Sequence, residues 1–288
     1  MPISRRTAGA LVLLLISLAW IYWDVFVWLV DDWDMNGDYS HGWAIVPLSL
    51  YLAWERRTAL RSTPAAPSTW GLLIIAGSFL LLTMGTLGAE TFLARLSLVV
   101  LATGAIVFLL GWAHLRLLAF PVAFLLLMIP IPSVIANRVT IPLQFVASRF
   151  GESMLSAGGV PVLREGNVIS LPAVTLYVAE ACSGIRSLMS LFTLGVLYGY
   201  FTEQRAWIRV ALCIATVPIA IVTNALRVSG TGYAAHWYGA RAAEGFFHTF
   251  SGWIVFLAAM VLLTVFHRLI LWSSPPPGVK AADAGCTV

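Results

Sequence analysis

The run Ala179-Glu180-Ala181-Cys182-Ser183-Gly184-Ile185-Arg186-Ser187 places a thiol where a polar, strand-like segment gives way to an apolar stretch that continues to about Tyr200. A cysteine at the N-terminal end of a helix faces unpaired backbone N–H groups and the positive end of the helix dipole, both of which favour the thiolate. Arg186 follows one turn later on the same face, and a cation there lowers the thiol pKa further. These are the conditions that prepare a nucleophile. The bland alternative is that Cys182 is a small buried hydrophobe, as Cys213 is expected to be inside the apolar run Val210 to Val222.

A nucleophile needs partners, and composition says where to look for them. Hydrophobic residues make up 60% of the 288 positions and charged residues 10%. With a mean hydropathy of +0.89, this is the profile of a polytopic membrane protein. The net charge of +4 is read as topology, because arginines flank apolar runs and no basic patch with interleaved aromatics suggests nucleic acid. Cys182, Cys213 and Cys286 have no metal-type spacing, and no metal or organic cofactor is called for. Gly285-Cys286-Thr287-Val288 is not a prenylation box.

The fold class expected is all-α and polytopic, with about eight transmembrane helices. Arg5 and Arg6 precede a first span, about Ala8 to Val30, too long for a cleaved signal peptide, so the N-terminus is expected in the cytoplasm. An acidic outer loop, Asp31 to Asp38, leads through Ser40-His41-Gly42 to a second span ending near Trp54. Arg56, Arg57 and Arg61 mark an inner loop. Spans follow over about Trp70 to Leu87, Leu93 to Leu110 and Leu115 to Ile129, the last stopped by Pro130 and Pro132. Residues of about 131–181 then form an extracytoplasmic insertion. Ser133 to Leu155 reads as an amphipathic interfacial helix. Val160 to Leu163 and Val168 to Leu171 read as a hairpin turning at Arg164-Glu165-Gly166-Asn167, with a third strand at Val174 to Val178. Spans six to eight cover about Gly184 to Tyr200, Val210 to Leu226 and Phe246 to Phe266, with a loop from Val228 to Gly245. One membrane domain, 1–272, is therefore expected before a disordered cytoplasmic tail, 273–288.

Counting crossings puts the entry of span six, the exit of span seven and the entry of span eight on one outer face. Cys182, Arg227 and His248 are therefore expected to share one membrane face. A thiol, a guanidinium and an imidazole supply what acyl transfer requires. Cys182 would attack a peptide carbonyl, Arg227 would stabilise the oxyanion, and His248 would protonate the leaving amine. The resulting thioester would pass to water or an amine with His248 as base. Asn224, about one turn before Arg227, could orient it, and Glu180 could pair with Arg227 or Arg186. Each has an ordinary counterpart: Arg227 as a snorkelling headgroup ligand, His248 as a helix-start residue and Glu180 as a solvated carboxylate. His41 and His236 are rivals for proton transfer, His41 tied to a helix entry and His236 to a loop.

These residues also carry a resemblance. Glu180 to Ser187, then Asn224-Ala225-Leu226-Arg227, then Phe247-His248 before an apolar span, resemble the exosortases and related archaeosortases over nearly the whole chain up to its tail. Ser40-His41-Gly42, with Tyr51-Leu52-Ala53-Trp54 and Arg56, and Arg164 to Asn167 add to the likeness. The resemblance implies a cysteine protease or transpeptidase of the bacterial inner membrane, with Cys182, Arg227 and His248 catalytic at the periplasmic face. Its substrates would be membrane-anchored exported proteins ending in a Pro-Glu-Pro motif, one span and a basic end, as in PEP-CTERM proteins. Arg186 or Arg241 would meet the glutamate of that motif. A link to exopolysaccharide and biofilm machinery is also implied. The competing class is a transport or non-catalytic component of exopolysaccharide export, for which Arg227 and Arg186 would bind an anion near helix ends.

Overall fold

Helix α5, Trp70–Leu87, has no polar side chain larger than Thr or Ser, and the same is nearly true of α6, Thr91–Leu109. In lipid such helices gain nothing from burying leucine and associate instead by close backbone approach. Glycines allow it here. A Cβ on Gly71 would meet the Phe108 backbone at 2.3 Å, and one on Gly85 would meet Ala94 N at 2.4 Å. Arg95 is tolerated within α6 because it is buried against partners: it pairs with Asp32 and donates to Trp28 O and Thr91 Oγ1.

The computed structural model describes residues 5–172, 174–177, 184–239 and 246–274. They divide into two compact units meeting in sequence at Pro132 and Ser133, where the insertion was expected to begin. The first unit holds α5 and α6 with α1 (Arg5–Ile21), α2 (Trp23–Met35), α3 (Gly42–Glu55), the short α4 (Arg57–Ser62) and α7 (Trp112–Phe124). Indole and hydroxyl groups tie it together. Trp33 Nε1 donates to Met128 O at 3.0 Å, and Ser49 Oγ donates to Pro121 O at 2.8 Å.

The second unit begins with α8 (Ser133–Ala157). A three-stranded antiparallel sheet follows, β1 (Leu163–Glu165), β2 (Val168–Ser170) and β3 (Thr175–Tyr177), in that order. Three helices complete it: α9 (Gly184–Thr202), α10 (Ala206–Tyr238) and α11 (Phe246–Ser273). The 33-residue α10 is the hub, packing on α8, α9 and α11. Leu191, Ala220 and Ala259 form one core layer across the last three helices, and Ile208, Leu212, Ala215 and Leu263 form another. A third cluster joins Leu155, Ile169 and Leu176 to Val228, so the sheet sits on α8 and on the far half of α10.

Several expectations need correction. Among the described residues four helices are long and apolar enough to cross a membrane, or up to six if each bent pair counts as one, against the eight expected. The first apolar run breaks at Tyr22, which is buried and accepts a hydrogen bond from Ser97. Helix α3 has only 14 residues and α7 only 13, short of the ~20 that hydrocarbon requires. The acidic stretch is helical through Met35. The hairpin turns on Gly166 and Asn167 alone, pairing Glu165 with Val168. Gly166, at φ +65°, takes the first central position of a type II′ turn, so Arg164 and Glu165 belong to the strand. Most consequential, α10 does not stop at Arg227. It continues to Tyr238, since Val228, Gly232 and Ala235 keep one face buried where composition alone suggests a loop.

Candidate active site

The layer of Leu191, Ala220 and Ala259 gives a register for everything above it. Seven residues are two turns and about 10.5 Å of helix, and they return to nearly the same face. Seven back from Leu191 is Gly184, seven on from Ala220 is Arg227, and seven back from Ala259 is Gly252. Gly184, Arg227 and Gly252 are thus brought level on the facing stripes of α9, α10 and α11. A side-chain distance agrees with this register: Arg227 Nη1 lies 4.0 Å from where a Cβ on Gly252 would stand. His248 is one turn before Gly252 in sequence, in the first turn of α11, and its side chain lies outside the described ones. Glycine at 252 leaves the guanidinium room to lie against the helix that carries His248. Sequence reasoning missed it, although a glycine between His248 and an apolar helix was a usable sign.

Arg227 is half-buried and lines a cavity of about 280 Å³ with Thr223, Gly230 and Thr231 of α10 and Ile254, Val255 and Ala258 of α11. Asn224 faces another way. It is buried and lines a small cavity with Gln144 of α8 and Leu188 of α9. Asn224 and Arg227, three residues and about 60° apart around α10, thus line different cavities. Gln144 in turn accepts from Asn167 Nδ2 at 3.1 Å, which ties the hairpin turn to α8. Arg164 reinforces that link through Glu152, with Nε–Oε2 of 2.6 Å.

Cys182, Glu180 and Arg241 lie outside the described residues. The chain on either side of Cys182 is anchored. Leu176 packs in the cluster that contains Val228, the neighbour of Arg227, and Gly184 opens α9 at the level of Arg227. Arg186 is exposed in the first turn of α9.

The two rival histidines are placed differently. His236 is not in a loop but exposed in the last turn of α10, nine residues and about 13.5 Å of helix beyond Arg227. His41 belongs to the first unit as N-cap of α3, where burial pushes its imidazole below the ordinary histidine range.

A sequence profile for transmembrane exosortases (Exosortase_EpsH) matches residues 33–265. The chain belongs to the exosortase family. The match takes in Cys182, Arg227 and His248 and most of both units. No curated protein and no solved structure matches the chain. Exosortase membership supports a general role as a membrane transpeptidase, and the helices long enough to cross a bilayer agree with a multi-pass membrane protein. Among the described residues no cluster of His, Cys, Asp and Glu could hold a metal.

At the opposite end of the bundle a second polar cluster closes the α9–α10 turn. Glu203 accepts from Arg205 Nη2 at 3.0 Å and from the backbone N–H groups of Gln204 and Arg205. The Arg205 guanidinium holds the Glu203 carboxyl down at about 2. Tyr198 Oη lies 2.9 Å from His267 Nδ1, and Arg205 Nη1 donates to Ser274 O at 2.8 Å. Its distance from the Arg227 layer and its bonds across the α9–α10 turn and to Ser274 mark it as a clamp on the three-helix end.

Proposed function

We propose that this exosortase is a membrane-embedded cysteine protease or transpeptidase acting on anchored exported proteins. Cys182 is the nucleophile, Arg227 the oxyanion stabiliser and His248 the proton carrier. The observation that carries the reading is the level register of Gly184, Arg227 and Gly252 on three packed helices. Gly252 stands one turn after His248 in α11, and Gly184 two residues after Cys182 in the chain, which supports the reading.

In this mechanism the Cys182 thiolate adds to the scissile carbonyl carbon. The carbonyl oxygen takes the negative charge beside the Arg227 guanidinium, whose planar fork of donors stabilises it. His248 then delivers its proton to the amine nitrogen as the C–N bond breaks, leaving a thioester on Cys182. Water or an amine, deprotonated by His248, attacks the thioester and frees the thiolate. The substrate is a protein with a C-terminal signal of a Pro-Glu-Pro segment, a span and a basic end. Arg186 and Arg241 are assigned to the signal's glutamate. Asn224 and Glu180 support the site. The active site faces the periplasm, both termini are cytoplasmic, and the activity serves exopolysaccharide-associated surface attachment.

The test is to co-express the enzyme with such a substrate and follow its anchored and processed forms by immunoblot. Cys182→Ala and Arg227→Ala should leave only the anchored form, and Cys182→Ser should retain at most a trace of processing. Processing that persists in Cys182→Ala would remove the reading and favour a non-catalytic or transport component. Mass spectrometry of the new C-terminus then separates hydrolysis, which leaves a free carboxylate, from transfer, which leaves an adduct.

A further inference from the structure

On the flank of the second unit, α9 and α10 border an open groove of about 520 Å³, a volume within the range of ligand pockets. Phe192 of α9 and Val210, Cys213, Ile214 and Pro218 of α10 line it, and Arg209 stands at its end by the α9–α10 turn. The lining residues point outward: Val210 is 57% exposed and Ile214 65%. A patch of lipid-facing apolar side chains is ordinary in a membrane protein. The arginine at its end is not.

Arg209 is held in place without being used up. Its Nε donates to Glu203 O at 2.7 Å and its guanidinium lies 5.5 Å from the Tyr200 ring centroid. No described acceptor takes its two Nη groups. The neighbouring Arg205 is committed to Glu203 and Ser274 O, so Arg209 is the cation the groove offers. Trp207, 52% exposed beside it, is the kind of residue that settles at the headgroup level.

Length decides what fills the groove. From Arg209 to Pro218 is nine residues, about 13.5 Å of helix, close to half of a hydrocarbon core of about 30 Å. That is the depth of one leaflet. A partner's transmembrane helix would need the full thickness. We propose that the groove seats one acyl chain of an anionic phospholipid whose phosphate is bound by the Nη groups of Arg209, in the leaflet into which the α9–α10 turn opens. A cation at a headgroup favours an anionic over a zwitterionic lipid by about fivefold.

The experiment is native mass spectrometry of the purified full-length protein in micelles doped equally with phosphatidylglycerol and phosphatidylcholine. The wild type should retain phosphatidylglycerol about fivefold over phosphatidylcholine. Arg209→Gln should bring that ratio close to one, while Arg209→Lys keeps a preference. Ile214→Trp, which fills the groove and leaves the arginine, should reduce retention of both lipids. Arg209→Gln also loses the bond to Glu203, so if it fails to elute as a monodisperse species, Ile214→Trp and Arg209→Lys decide. A wild type without preference overturns the proposal. So does a wild-type ratio and amount in every folded variant, or a dimer in place of bound lipid that Ile214→Trp dissociates.

Discussion

Arg227 and Gly252 make a pair in which the smaller member sets what the larger can do. A methyl at position 252 would stand 4.0 Å from Nη1, an ordinary contact, so Gly252→Ala should be nearly neutral for processing. Gly252→Leu would push the guanidinium off its place. A displacement of about 1 Å is enough to cost on the order of 10²-fold in rate, and the rate of substrate processing in membranes should show it while thermal stability changes little. Glu203 allows a prediction of a different kind. Its carboxyl lies at about 2, below the ordinary 4.5. The stabilisation is therefore present above about pH 4.5 and is lost as pH falls through about 2. Glu203→Gln should lower the Tm at pH 7, and the gap from the wild type should narrow steadily as the pH is taken down from 4.5. A gap that is constant with pH would show that the clamp works by shape and not by charge.

The elements that deliver these residues were legible to different degrees. Helix α5 matches its expected span, Trp70 to Leu87, because a tryptophan and a Gly-Ala-Glu turn bound an unbroken apolar run. The sheet was legible from Gly166-Asn167 between two β-branched runs. Helix α10 was misjudged beyond Arg227: Gly230, Gly232 and Tyr233 read as a loop, yet Leu155 packs where a Cβ on Gly232 would stand, and Tyr233 donates to Met154 O at 2.5 Å. Tertiary contact with α8 overrides weak helix propensity there, and no single stretch of sequence displays such a contact. The candidate triad was legible as residue types at helix ends. The register that brings Gly184, Arg227 and Gly252 level was not, since a register is a property of three segments at once. The α8–α10 contact gives a test. A Cβ on Gly158 would meet Tyr233 Oη at 2.0 Å. Gly158→Ala should cost on the order of 1–3 kcal/mol in denaturant or thermal unfolding, and markedly less in a Tyr233→Phe background, where the hydroxyl is gone.

At the scale of the whole molecule, the second unit carries every residue proposed for the chemistry, and the first contributes a tightly packed glycine-seamed helix pair and an ion pair between buried Arg95 and partly exposed Asp32. Opposite ends of α9 should face opposite compartments. In a background with Cys182, Cys213 and Cys286 replaced by Ser, Glu165→Cys should react with an impermeant maleimide in intact spheroplasts, and Gln204→Cys only after lysis. Labelling of both from one side would refute that topology.

Helix α10 has a further consequence. At 33 residues it is about 50 Å long, and Arg227 stands about 32 Å from its start, so a helix upright in the bilayer would use up the hydrocarbon thickness by the time it reaches that arginine. In that orientation the guanidinium would stand at a set height on the helix, and the remaining turns would stand clear of the lipid. Under the proposed function, a client held in the bilayer by its own helix would meet this gauge with only the few residues between its anchor and its cut site. Discrimination between clients can then rest on spacing, with the letters of the signal read only after the distance has been measured.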